Sequence, residues 1–303
     1  MSLLGVEDPP IDQILEAIDE MAASKQPKVL LFDIGGVCVV SPFQAILDYE
    51  ISLNIPPGWV NYSLAQSAPN GYWHKLERGD IPMDAAFFAG FNSDLHRPEQ
   101  WRAFYAREAA RTPSLPQETP PVPRLDGEWL FNEMMAKSNA PDPWMFPALE
   151  RLRRSGRYIL GALSNTVIFP PGHALHRGDA LADPVRSLFD VFVSSAHVGL
   201  RKPDPGIYRL AVRRLDEFAR ANAHSERGRR LGWDAGVQAA DVLFLDDIGE
   251  NLKAARNEGF GTIKVHLGRA YEAVEELERV TGLQLEGDHP KIAIRPRVRR
   301  SKM

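Results

Sequence analysis

Cysteine is almost absent: Cys38 is the only one in 303 residues. A single thiol forms no intrachain disulfide and no cysteine metal cluster, and a reducing compartment fits it. Long hydrophobic runs are missing as well, since no stretch nears the roughly 18 apolar residues of a membrane helix. A positive excess is also missing. The chain has 36 Lys and Arg against 40 Asp and Glu, a net charge of -4, which argues against general nucleic-acid binding. The first residues are acidic and broken by Pro9 and Pro10, unlike a signal peptide. These absences leave a chain long enough for one large core, or a core with a smaller lid.

The stretch 28–41, KVLLFDIGGVCVVS, organises what is present. Its run VLLF has the continuous apolar pattern of a strand buried on both faces. The run ends at Asp33, and a carboxylate there points into the crevice where open α/β sheets bind ligands. Gly35 and Gly36 let the backbone turn and approach a ligand. The bland alternative is an aspartate that caps a turn. Similar buried runs recur at 158–163, 191–195, 241–245 and 262–266, with helical patterns between them. That alternation predicts an α/β fold with a parallel, doubly wound, Rossmann-like sheet.

Residues 52–146 differ. Proline interrupts them, and they hold Trp59, Trp73, Trp101, Trp129 and Trp144, five of the six tryptophans. Residues 112–124, TPSLPQETPPVPR, read as an extended linker. The expected division is an N-terminal helical extension at 1–27, a core from 28–51 and 147–283, an inserted helical cap at 52–146, and a basic tail at 284–303. The cap aromatics form either the cap's own core or an apolar pocket over the site. The segment 223–240 reads as a polar surface insertion.

Four groups sit at expected strand ends: Asp33, Ser164-Asn165-Thr166, Lys202 and Asp246-Asp247. Adjacent carboxylates repel unless a cation lies between them. Hard oxygen ligands suit Mg²⁺, which keeps substrate phosphate oxygens in its shell. A hydroxyl, an amide and an ammonium nearby suit phosphate.

In this order the motifs resemble the haloacid dehalogenase superfamily: FDIGGV its first, LSNT its second, GLRKPDPGIY its third, FLDDIGENLKAA its fourth. The last two are similar to the phosphatase-like domain of soluble epoxide hydrolase. The resemblance implies a Rossmann-like core with a helical cap, and Mg²⁺ held by Asp33 and Asp247 with Asp246. It also implies Asp33 and Lys202 as catalytic residues, and Ser164, Asn165, Thr166 and Lys202 at the phosphate. One departure stands out: family phosphatases carry a general acid two residues after the first aspartate, and here that position is Gly35.

Without that acid, three readings remain: a non-catalytic phosphate-binding module, a hydrolase of substrates with good leaving groups, or ionisation of an allylic diphosphate. The last resembles fungal sesquiterpene cyclases of the brasilane type built on this fold. Asp246-Asp247-Ile248-Gly249-Glu250 reads DDxxE, which adds Glu250 as a metal ligand and implies farnesyl diphosphate as substrate. A cation over aromatic faces gains about 0.5–2 kcal/mol per good contact. The leading expectation is therefore a Mg²⁺-dependent cyclase, with a phosphatase or related hydrolase as the alternative.

The histidines are too scattered for a metal site, and Arg201 reads as solvated. The run RPRVRR reads as a disordered tail. Ser301-Lys302-Met303 resembles a peroxisomal address, which implies an import receptor as partner and a peroxisomal location beside a cytoplasmic one.

Overall fold

The computed structural model describes residues 26–176 and 183–294. The helix expected within 1–27, the run RPRVRR and Ser301-Lys302-Met303 lie outside them. The core is one parallel sheet ordered β3-β2-β1-β4-β5. Its strands are β1 (Val29–Phe32), β2 (Ile159–Ser164), β3 (Val191–Ser194), β4 (Val242–Asp246) and β5 (Gly261–Lys264). β1 is central. Its Val29 pairs with Ile159 on one side and Val242 on the other. The chain winds outward in opposite directions from β1, so the crevice opens between β1 and β4 at their C-terminal ends.

Side chains alternate across the sheet. Leu30 and Phe32 face one layer with Leu160, Leu245 and Ile263. Val29 and Leu31 face the other with Ile159, Leu163 and Phe244. Seven helices connect β1 to β2, the first six being α1 (Pro42–Ser52), α2 (Trp59–Ser67), α3 (Tyr72–Glu77), α4 (Ala85–Asp94), α5 (Pro98–Arg111) and α6 (Gly127–Lys137). Then α7 (Met145–Ser155) covers the first face and stops at Gly156, whose φ is 60°. After β3 come α8 (Ser195–Val198), α9 (Pro205–Ala221) and α10 (Glu226–Leu231). Asp204 caps α9 through the Gly206 N–H. The fold ends with α11 (Gly249–Asn257) after β4 and α12 (Ala270–Thr281) after β5. Helices α7 and α12 pack on the first face, α9 and α11 on the second.

The segment 223–240 is not a surface insertion. Trp233 and Val237 are buried in the second layer, and the Arg227 guanidinium lies over the Trp233 ring. Leu285 is buried in the first layer.

The six inserted helices build a separate apolar cluster. Trp59, Trp101 and Phe104 pack together, as do Phe87, Phe91 and Phe131. Ala45 and Ile46 of α1 belong to it too. Glu50 is buried at its edge, where its carboxylate accepts the N–H groups of Gly58 and Val60 at 2.7 Å each. That satisfies backbone donors at the start of α2.

Burial pushes the Glu50 carboxyl from 4.5 up to about 7, against the pull of those N–H groups. The folded state then holds this proton more tightly than the unfolded chain. Its contribution is fully present below pH 4.5 and is lost as the pH rises through about 7. Thermal unfolding followed from about pH 5 to about pH 8 is expected to show Tm falling with pH. Glu50→Gln is expected to flatten that fall; an unchanged slope would remove Glu50 as its source.

Candidate functional site

Asp33 follows β1 and Asp246 ends β4, so the pairing of these strands sets the two carboxylates side by side. Lys202 reaches between them from the segment before α9. Its Nζ lies 2.9 Å from Asp33 Oδ1 and 2.7 Å from Asp246 Oδ2, with the side chain fully buried. Burial works against this ammonium, but Asp246 and Asp33 outweigh it and hold its pKa above the ordinary lysine value. Asp33 Oδ1 also accepts the Ile34 N–H at 2.7 Å, and among the described residues no hydrogen bond to its Oδ2 is seen. Burial raises the Asp33 carboxyl to about 6 against the attraction of Lys202.

Asp246 is fully engaged. Ile248 N–H and the Asn251 amide donate to Oδ1, and Lys202 and the same amide reach Oδ2. Asp247 is not. Its Oδ1 is buried and accepts no hydrogen bond. Burial, then repulsion from Asp33 and Asp246, pushes its carboxyl well above the usual range. Oxygens of Asp33, Asp246 and Asp247 lie within 4.8 Å of one another. A buried orphan carboxylate oxygen among two other acids fits a hard divalent cation such as Mg²⁺. Asp33 and Asp247 could hold such an ion, while Asp246 is engaged by Lys202.

Gly36 is required here. Its φ is 78°, and a Cβ on it would sit 2.3 Å from Asp247 Oδ2. Lys264, at the end of β5, donates to the Asp247 backbone carbonyl.

The second motif is used differently from its expected role. Ser164 is buried at the end of β2. The Asn165 side chain accepts the Lys202 N–H at 2.8 Å and donates to the Lys202 carbonyl at 3.0 Å. It clamps the lysine's backbone instead of being free for phosphate. The Thr166 hydroxyl pairs with Ser194 on β3, away from β1.

Arg201 is not solvated. It donates from Nε to Glu77 Oε2 at 2.8 Å and ties α3 to the segment holding Lys202. Ser195 adds a bond to the Glu77 carbonyl. Glu250 is exposed on the first turn of α11 and does not join the three aspartates. Most of the cap aromatics form the cap's interior, while Trp129 is exposed and Trp144 packs in the first core layer against Tyr271.

Sequence reasoning missed Asn251, Lys264 and Glu77. Asn251 had a signal, lying four residues after Asp247 in the fourth motif. Glu77 had none.

No family model matches the chain. Acyl-CoA dehydrogenase family member 10 of Mus musculus is 28% identical over 258 residues, 85% of this chain and 19% of that protein. Bifunctional epoxide hydrolase 2 of Sus scrofa is 24% identical over 264 residues, 85% of this chain and 39% of that protein. The chain thus spans well under half the length of these relatives. Phosphatase MT3486 of Mycobacterium tuberculosis is 32% identical over 113 residues, 37% of this chain and 41% of that protein. Among solved structures, a predicted HAD-like family hydrolase from Porphyromonas gingivalis has a TM-score of 0.45 at 18% identity. It covers 84% of this chain and 98% of its own.

Mg²⁺ is expected to raise the Tm of the wild-type protein, because an ion bound only by the folded state stabilises it. Asp247→Asn relieves like-charge repulsion, so the metal-free variant is expected to melt a few degrees higher, about 2–4 °C per kcal/mol. It should also lose the Mg²⁺ response. An undiminished Mg²⁺ shift in the variant would remove Asp247 from the ligand set.

Proposed function

From membership of the haloacid dehalogenase-like superfamily, to which this chain belongs, we propose that it is a Mg²⁺-dependent hydrolase of phosphorylated small molecules. The observation that carries this reading is the buried Asp33–Lys202–Asp246 bridge beside the unpartnered Asp247 oxygen. A relative named as a phosphatase supports it.

Asp33 is the nucleophile in this reading. Its Oδ1 is pinned by Lys202 and the Ile34 N–H, which orients Oδ2 toward the crevice. Lys202 supplies a fixed positive charge that compensates the phosphoryl group as it approaches Asp33. Asn165 fixes the backbone that carries it. Asp246 and Asn251 hold the lysine from the other side. Asp33 and Asp247 would hold a Mg²⁺ ion, which would supply neutralisation of the phosphoryl charge. The leading expectation from sequence, a sesquiterpene cyclase ionising farnesyl diphosphate, loses two supports. Glu250 faces solvent, and most of the cap aromatics fill the cap.

Purified protein is expected to release inorganic phosphate from p-nitrophenyl phosphate with Mg²⁺ and to stop on chelation. Asp33→Asn is expected to lower kcat by at least about 10³-fold. Incubation with farnesyl diphosphate should yield no cyclic terpene. Cyclic product with released diphosphate, and no phosphate from any monoester, would reverse this assignment.

A further inference from the structure

The phosphohydrolase reading leaves one chemical step without a donor. The group leaving phosphorus needs a proton if it departs as an alkoxide, and position 35 offers only hydrogen. Four polar groups near the aspartates are engaged with other partners. The Lys202 ammonium is shared by two carboxylates. The Tyr208 hydroxyl donates to the Asn251 carbonyl at 2.9 Å. The Cys38 thiol donates to the Asp33 carbonyl at 3.0 Å. Glu77 holds Arg201.

The gap at Gly35 is chemical and not steric. Its φ lies outside the left-handed region, and a Cβ there would meet only Pro42, at an ordinary 3.5 Å. A Cβ could stand at this position without a clash, unlike at Gly36.

We propose that this site, resting on the phosphohydrolase reading above, is specific for phosphoryl groups on oxygens that leave without protonation. That class comprises acyl phosphates, phosphoric anhydrides and esters of acidic phenols or enols. In the first step an Asp33 carboxylate oxygen bonds to phosphorus. The bond from phosphorus to the leaving oxygen breaks, and its electron pair departs with that oxygen as a carboxylate, phosphate or stabilised phenolate. In the second step a water oxygen bonds to phosphorus, and the Asp33–phosphorus bond returns its pair to the carboxylate. The water's proton passes to an oxygen of the released phosphate.

A second consequence follows for the second step. The same missing group is the base that would activate the water, so that step is slow. The aspartyl phosphate accumulates whenever its formation is fast, and leaving-group release shows a burst.

The test uses the full chain with Mg²⁺ and a graded series: acetyl phosphate, p-nitrophenyl phosphate, phenyl phosphate and butyl phosphate. For the wild type, kcat/KM is expected to fall steeply along the series, by more than about 10²-fold from p-nitrophenyl to butyl phosphate. Rapid mixing should show one p-nitrophenolate per site before the steady state, with phosphate trapped on Asp33 by acid quench. Gly35→Asp is expected to raise butyl phosphate turnover by about 10²-fold and to abolish the burst. Comparable wild-type rates on butyl and p-nitrophenyl phosphate would overturn the specificity, whatever the variant does. No Asp33-dependent phosphate release even from acetyl phosphate would instead overturn the phosphohydrolase reading beneath it.

Discussion

One buried ammonium holds this site together. Three carboxylates converge where β1 and β4 end, and burial raises the free energy of each charge. Lys202 lies 2.9 and 2.7 Å from two of them and has no exposed surface. A single charge left alone in that interior would be strongly unfavourable, whereas a bridged set is tolerable because every partner is hydrogen-bonded. The lysine's position is itself over-determined. Its ammonium is fixed by Asp33 and Asp246, and its backbone by both polar atoms of the Asn165 amide. The remaining charge, on Asp247, has no protein counterpart at Oδ1.

The same constraint explains what the sequence showed plainly. A strand buried on both faces must be continuously apolar, so VLLF and FL before Asp246 were readable. A carboxylate ending such a strand has one place to go. The order of the motifs then fixed which groups meet.

What the sequence hid lay in side-chain direction and in long-range pairing. Asn165 and Thr166 sit at the right strand end, but the turn after β2 aims one at Lys202's backbone and the other at Ser194. Glu250 falls at the spacing of a metal motif, yet residues 246–248 are not helical. The count of four therefore does not bring it round to the aspartates, and it ends on the outer first turn of α11, where the helix dipole favours an acid. Arg201 looked solvated because its partner Glu77 lies 124 residues earlier in the chain. Trp233 was hidden by its polar and glycine neighbours, since a single apolar residue carries no period.

The cap shows why aromatic abundance misled. Six short helices with no sheet beneath them must bury their own interior, and short helices offer few apolar positions each. Large rings supply the most buried area per position, and most of the aromatics of 52–146 serve that interior. Cap and core also meet at a polar seam of Glu77, Arg201 and Ser195. Val167 and Phe169, just past the second motif, pack against the cap's apolar cluster. Because Arg201 adjoins Lys202 in the chain, any shift of α3 at this seam bears directly on the residue that holds the carboxylates together.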